Sequence, residues 1–304
     1  VFYLNQFDQA IRDGVLYPRW GVDFALGYGY PLFNIYSTLA YYVAEVFHLM
    51  GASLTASVKA TYILGFVLSG LTMYAYAKRV LGGDAGVLAA IVYMFIPYRL
   101  LDVYVRSAFV ESFAFAFLPL ILLGFHDLAE RWSVRRLVLA SLAYAALFLT
   151  HAATALIFTI LLVPYVGFLL ISRLRLGWAE FLRATGLSIA AAALALMLSS
   201  IFLVPMLAEK SYIVESQWTQ GSFGYAKHFV YPSQLFSPFW GYGYAGEGLN
   251  DEMSLQLGLA AATLAIVGVT CSLWKGVSGK GHVLFFFAAS LVIVLAMVPV
   301  ALPV

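Results

Sequence analysis

Long apolar runs dominate this chain, at residues 31–50, 58–76, 85–97, 109–125, 137–149, 152–171, 184–207, 255–274 and 283–302. Several match the roughly 17 to 25 residues needed to cross a hydrocarbon core at about 1.5 Å of rise per residue. In hydrocarbon no water satisfies a backbone N–H or C=O, so each segment must close its own hydrogen bonds, which a helix does and an open strand does not. The alternation of a membrane barrel is absent. An all-α polytopic membrane protein follows. The composition agrees, with 63% hydrophobic and 11% charged residues against about one quarter charged in soluble domains.

Charge sorts the connectors into two sets. Lys78-Arg79, Arg131/Arg135/Arg136 and Arg173/Arg175/Arg183 are basic, whereas the others are rich in Trp, Tyr, Gly and carboxylates. Short cytoplasmic connectors carry an excess of Lys and Arg, so the basic set is expected inside and the aromatic, acidic set outside. Alternating spans from those fixed points put 150–151, 99–106 and 51–57 outside. The run 31–50 contains Asn34, Glu45 and His48, with Tyr and Ser through its first half. It therefore reads as a helix lying along the outer interface or dipping in and out of it. With that choice the inner connectors hold ten Lys/Arg against four Asp/Glu, and the outer ones seven against eleven. The expected organisation is a first outer loop with interfacial helices over 1–57, a six-span core over 58–207, a long outer aromatic loop over 208–253 and two last spans over 254–304. That makes about eight transmembrane helices.

Val1 opens a polar segment and the last apolar run simply stops, so the chain reads as an internal piece of a longer protein. A net charge of +2 is too small to argue for nucleic acid; membrane lipid is the expected partner, and oligomeric state stays open. Cys271 is the single cysteine, which excludes an internal disulfide. His48, His126, His228 and His282 share no metal-ligand spacing, so no metal residues are assigned, although a divalent metal cofactor stays open.

In the first outer loop Phe7, Ala10 and Ile11 form an apolar stripe at helical spacing that Gly14 and Pro18 would end, which suits a surface-lying helix. Asp8 and Asp13 could supply a general base or a metal ligand, with Asp23 a weaker candidate; solvated carboxylates are the alternative. Arg99, Asp102 and Arg106 follow one another at spacings of three and four, so on a helix they share a face and can pair. Guanidinium matches phosphate oxygens bidentately, so Arg106 with Glu111 could grip a phosphate at the membrane boundary. The alternative is a topological anchor, with Glu111 favoured near a helix N-terminus by the dipole. His151, at the tip of an apolar hairpin, is either a proton-transfer group or a hydrogen-bonded hairpin cap. Tyr231, Trp240, Asp251 and Glu252 lie in the last outer connector, where aromatic faces beside carboxylates suit sugar binding and also suit an interfacial belt. The tetrapeptide Gly-Tyr-Gly-Tyr occurs twice, at Gly27 to Tyr30 and Gly241 to Tyr244.

Leu16-Tyr17-Pro18-Arg19-Trp20, then Gly27-Tyr28-Gly29-Tyr30-Pro31-Leu32-Phe33-Asn34-Ile35-Tyr36, resembles the start of the bacterial and archaeal 6-pyruvoyl-tetrahydropterin synthase-related membrane domain family. The similarity continues through Tyr104-Val105-Arg106-Ser107-Ala108, Glu111, Pro119-Leu120, Thr150-His151 and Pro232-Ser233-Gln234-Leu235-Phe236-Ser237-Pro238. The label refers to a soluble zinc enzyme, and no zinc triad or pterin pocket is readable here. A wider resemblance is to the C-type integral membrane glycosyltransferases (GT-C), whose first outer loop carries surface-lying helices; the stretch from Pro31-Leu32 to Met50-Gly51 looks like one of them. That resemblance implies a polyprenyl-phosphate sugar donor and an acidic base or metal ligand early in the first outer loop. The family often places its acid just before the position of Phe2, which leaves Asp8 as the nearest acid retained.

The leading expectation is a glycosyltransferase-like protein of a bacterial or archaeal plasma membrane, active at the outer face. Asp8, Glu111 and His151 are its catalytic candidates, and Arg19, Trp20, Arg99, Asp102, Arg106, Tyr231, Trp240 and Asp251 its binding candidates. The rivals are a transporter or flippase of a lipid-linked or amphiphilic substrate and a non-catalytic envelope scaffold. A secondary transporter should show paired, broken spans in two related halves, which the sequence lacks.

Overall fold

The computed structural model describes residues 1–212, 214, 224, 227–246, 248–249, 252–275 and 279–298. It is an all-α polytopic membrane protein. Six helices among the described residues are long and apolar enough to span a bilayer: Leu54–Leu81, Gly83–Tyr104, Phe109–Glu130, Ala152–Leu174, Trp178–Leu198 and Lys280–Met297. Val134–Thr150 and Leu259–Lys275, of 17 residues each, reach about 26 Å at 1.5 Å per residue. They are shorter than the six, so the described residues hold six helices of spanning length where about eight were expected.

The chain divides into two compact units, the first made of Val1–Tyr76 with Phe109–Lys210 and the second of Ala77–Ala108 with Ser211–Val304. In the first unit, α1 (Phe2–Arg12), α2 (Leu32–Ile35) and α3 (Leu39–Leu49) precede α4 (Leu54–Leu81), whose last residues belong to the second unit. In the second, α5 (Gly83–Phe95) and α6 (Pro97–Tyr104) follow, and the chain returns to the first with α7 (Phe109–Ala114), α8 (Leu118–Glu130), α9 (Val134–Thr150), α10 (Ala152–Leu174), α11 (Trp178–Leu198) and α12 (Ser200–Ala208). The second unit closes with α13 (Pro232–Leu235), α14 (Leu259–Lys275) and α15 (Lys280–Met297).

Helices α8 to α11 pack together to form the membrane core of the first unit. Lipid is as apolar as leucine, so helices associate there through close packing of small residues, not through burial of large ones. The sequence follows that rule. The buried side of α11 is Ala184, Ser188, Ala191 and Ala195, while Leu182, Ile189 and Leu196 point outward. Gly124 of α8 lies so near α9 that a Cβ there would stand 3.0 Å from the Ala140 Cα. On α10, Leu156, Ile157, Ile160 and Val163 are turned to the surroundings.

A second, aromatic core joins α1, α2, α3 and α7. It contains Leu4, Phe7, Leu32, Phe33, Tyr41 and Phe113, with Phe7 edge-on to Phe33 at 5.4 Å and to Tyr42 at 4.8 Å. The expected stripe of α1 is present, and the helix ends where anticipated, at Asp13 before Gly14 with φ +85°. The run 31–50, read as one interfacial helix, is instead two. Tyr36 is extended and Ser37 is buried with its hydroxyl donating to the Phe148 carbonyl at 2.9 Å, an interaction that competes with helical continuation.

In the second unit Ile96 and Pro97 separate α5 from α6, since a residue before proline is pushed out of the helical region. Gly258, with φ +87°, passes so close to Pro97 that a Cβ would sit 2.8 Å from its ring. The connector 208–253, expected as a long outer aromatic loop, holds among its described residues the short α13 and a two-residue antiparallel bridge, Tyr242 to Met253.

Candidate functional site

An open groove of about 660 Å³ lies in the first unit between α1 and the loop that follows it, within the usual size of small-ligand sites. From α1 it is lined by Gln6, Gln9, Ala10 and Arg12, and from the loop by Asp13, Tyr17, Arg19, Trp20 and Asp23 among others. Several local devices shape the wall. Gln6 is buried, and its amide nitrogen donates to Asp23 Oδ2 at 2.5 Å while its oxygen accepts from the Asp23 N–H at 2.9 Å. Asp23 is thereby spent on holding the loop. Gly21 and Tyr30 exchange backbone bonds of 2.9 and 3.0 Å. Trp20 lies against Gly29, where a Cβ would fall 2.1 Å from its indole nitrogen. The Tyr42 hydroxyl donates to the Leu16 carbonyl at 2.5 Å, and burial pushes that hydroxyl up to about 12, so it serves as a donor at neutral pH.

Arg12 connects the groove to a buried acidic cluster. Its Nε donates to Asp8 Oδ1 at 2.7 Å, and its terminal nitrogen stands 3.3 Å from His48 Nε2. That same ring nitrogen is 3.6 Å from Asp8 Oδ1. His48 Nδ1 is 2.7 Å from the Ala52 carbonyl, an acceptor, which assigns the ring proton to Nδ1 and leaves Nε2 to accept from Arg12. Glu45 sits one turn before His48 on α3, 3% exposed, with its carboxyl facing Asp8. Burial first, and then the Asp8 carboxylate, hold Glu45 above the ordinary carboxylate range; His48 and Arg12 oppose this in part.

Arg19, also half-exposed in the groove, donates through Nε to Asn34 Oδ1 at 2.5 Å and pairs with Glu209 just beyond α12; Asn34 donates to the same carboxylate. Two of its five N–H groups are so engaged.

The other candidates of the first unit lie elsewhere on it. Glu111 stands in the first turn of α7, where the helix dipole favours an anion. His151 lies between α9 and α10, with Nδ1 2.7 Å from Thr154 Oγ1 and no side-chain bond to the first backbone N–H groups of α10.

In the second unit Arg106 donates to Asp102 Oδ1 and to the Tyr98 hydroxyl, both at 2.9 Å, which is the pairing expected from their spacing. Arg99 and Asp102 are fully buried. The Tyr231 N–H donates to Gln234 Oε1 at 2.7 Å at the start of α13, and Trp240 meets Tyr242 edge-on at 6.5 Å. A smaller cleft of about 240 Å³, lined by Gln234, Ser237, Phe239 and Met253 among others, lies in the same loop. Asp251 lies outside the described residues.

Arg12, Glu45 and His48 were not singled out in the sequence as members of a site. Asp8 with Arg12 at i+4 and Glu45 with His48 at i+3 are visible pairs, but nothing local says that α1 and α3 meet. Among the described residues, one group brings three possible metal ligands within 4.8 Å of one another: His126, Asp127 and Glu130, in the last turns of α8. The Asp8 cluster is not such a group.

A family model described as 6-pyruvoyl-tetrahydropterin synthase related domain, membrane protein, matches residues 33–304. An uncharacterized protein of Lactococcus lactis subsp. cremoris (strain MG1363) is 24% identical over 203 residues, which is 65% of this chain and 33% of that protein. The chain thus matches about a third of the length of that relative. No solved structure matches it.

Proposed function

We propose a function from one premise: the chain belongs to the 6-pyruvoyl-tetrahydropterin synthase-related family of membrane proteins. Our reading is a membrane glycosyltransferase that moves a sugar from a polyprenyl-phosphate-linked donor to an acceptor at the outer face of the plasma membrane. The observation that supports it is the groove lined by Arg12, Arg19 and Trp20, with Arg12 bonded to the Asp8 carboxylate behind it. Guanidinium groups hold phosphate through charge-assisted bonds, and an aromatic face accepts the CH surface of a sugar. In the reaction Asp8 takes the acceptor hydroxyl proton, the acceptor oxygen bonds to the anomeric carbon, and the sugar–phosphate bond breaks. Arg12 and Arg19 stabilise the charge that develops on the departing phosphate. Within the second unit, Arg106 is by itself a candidate for phosphate binding and the loop of Tyr231 and Trp240 for sugar binding.

The test is transfer of radiolabelled sugar from a lipid-linked donor by the protein in lipid nanodiscs, wild type against Asp8→Asn. Transfer that depends on Asp8 is the expected result. Translocation of the lipid-linked substrate without transfer would replace this reading with a flippase, and neither activity would leave the scaffold.

A further inference from the structure

Glu45 poses a problem in hydrogen bonding. Both of its carboxyl oxygens are buried, and no N–H or O–H group among the described residues reaches either of them. Buried polar atoms are rarely left in that state, because the donors of water have been given up with nothing in return. The polar group nearest in chemistry is the carboxyl of Asp8, itself 8% exposed and already accepting from Arg12. Two ionised carboxylates are acceptors only and repel; a carboxyl that keeps its proton becomes a donor to the other. One proton between them satisfies both. Arg12 decides which member holds it, since a guanidinium bonded to Asp8 Oδ1 favours the charged form there.

We infer that Glu45 carries a proton at neutral pH and donates it in a hydrogen bond to Asp8, so that the two form a one-proton dyad with Asp8 as the ionised member. Among the described residues the titratable and charged groups acting on Glu45 are Asp8 and Arg12 from α1 and His48 from α3 itself; α7 and α9, which also pack on α3, carry Glu111 and Arg135 with Arg136, none of which is among those groups. The direction in which burial and Asp8 move Glu45 agrees. For the glycosyl-transfer reading, on which this part rests, Glu45 is a positioning residue. It fixes the Asp8 carboxylate from behind while Arg12 fixes it from the groove side, and it keeps a second negative charge away from the base.

Infrared spectroscopy of the protein in nanodiscs at neutral pH tests the dyad without reference to activity. A protonated-carboxyl C=O stretch is expected that moves on labelling glutamate carboxyls with heavy carbon, stays on labelling aspartate, and disappears in Glu45→Gln. The labelling arm needs no variant, so poor folding of Glu45→Gln leaves the test intact. No such band, or a band that follows the aspartate label, overturns the inference. In transfer assays the wild-type rate should fall on the alkaline side as Glu45 ionises, and Glu45→Gln should lose that limb of the profile; an unchanged limb removes the positioning role. A glutamate band in a protein that transfers no sugar would keep the dyad and reject the glycosyltransferase, so the two failures are distinguishable.

Discussion

Arg12 and His48, 36 residues apart in sequence, stand 3.3 Å from each other, with Asp8 bonded to the first and 3.6 Å from the second. With the ring proton on Nδ1, where the Ala52 carbonyl accepts it, the imidazole Nε2 can accept from the guanidinium. Arg12 is therefore a fork, one prong on a carboxylate and one on an imidazole, with its outer edge on the groove. Lysine has a single ammonium and cannot reproduce two directed bonds. Arg12→Lys should cut sugar transfer by about one to two orders of magnitude while membrane yield stays near wild type. Steady-state transfer assays beside quantitative immunoblots of membranes check both.

Asp8→Asn should lower transfer by about 10² to 10⁴, the usual contribution of a positioned base. Binding of a polyprenyl phosphate should change far less, because the Arg12 and Arg19 side chains remain. Equal loss of binding and turnover, measured by donor titration and single-turnover assays, would make Asp8 a structural residue.

The raised Glu45 gives a pH dependence of stability with a definite sign. An acid bound more tightly to its proton in the folded than in the unfolded protein stabilises fully below the unfolded value, near 4.5, and loses that contribution as pH climbs through the folded value. The melting temperature in nanodiscs should therefore decline as pH is raised from about 4.5 toward alkaline values. Glu45→Gln should flatten the decline, and scanning fluorimetry across a buffer series reads both curves.

Gly27 and Gly29 offer a matched pair. Both have positive φ, +90° and +80°, but a Cβ at Gly27 meets nothing within 4 Å whereas one at Gly29 runs into Trp20. Gly27→Ala should carry backbone strain alone, about 1 to 3 kcal/mol. Gly29→Ala should carry that strain and displace the indole, so its melting temperature should drop further and its donor affinity should fall. Equal effects of the two would take Trp20 out of the groove wall.

Orientation can be read with single cysteines in a Cys271→Ser background, since Cys271 is exposed. Ser53, exposed between α3 and α4, should react with an impermeant thiol reagent from outside intact cells once changed to Cys. Leu176→Cys, between α10 and α11, should react only after permeabilisation. The reverse pattern would put the groove on the cytoplasmic side.

Much of the fold was legible because lipid imposes a simple rule on sequence. Runs such as 152–171 became the helix Ala152–Leu174 almost unchanged, since an apolar segment in hydrocarbon has one way to satisfy its backbone. Breaks inside runs were harder to see. Ser37 interrupts the run 31–50 through a hydrogen bond to Phe148, a residue whose proximity no local pattern announces. The site divides in the same way. Asp8, Arg19 and Trp20 stand in one aromatic and acidic segment and were readable from composition and resemblance. Glu45 and His48 sit in a run that looks merely interfacial, and they come to Asp8 and Arg12 only because α3 packs on α1.

The two Gly-Tyr-Gly-Tyr copies gain a common meaning from the structure. Each lies at an antiparallel bridge, Gly21 to Tyr30 and Tyr242 to Met253, and in each a glycine lets a bulky side chain lie on the backbone: Trp20 on Gly29, Glu252 on Gly243. In the first loop the bridge of Gly21 to Tyr30 closes the base beneath the tip at Leu26. Extra residues grafted at Leu26, which is 99% exposed, would lengthen the tip without pulling on the groove wall. That position is where an epitope or a fluorescent reporter can be carried by a working protein, giving an experimenter a handle beside the groove.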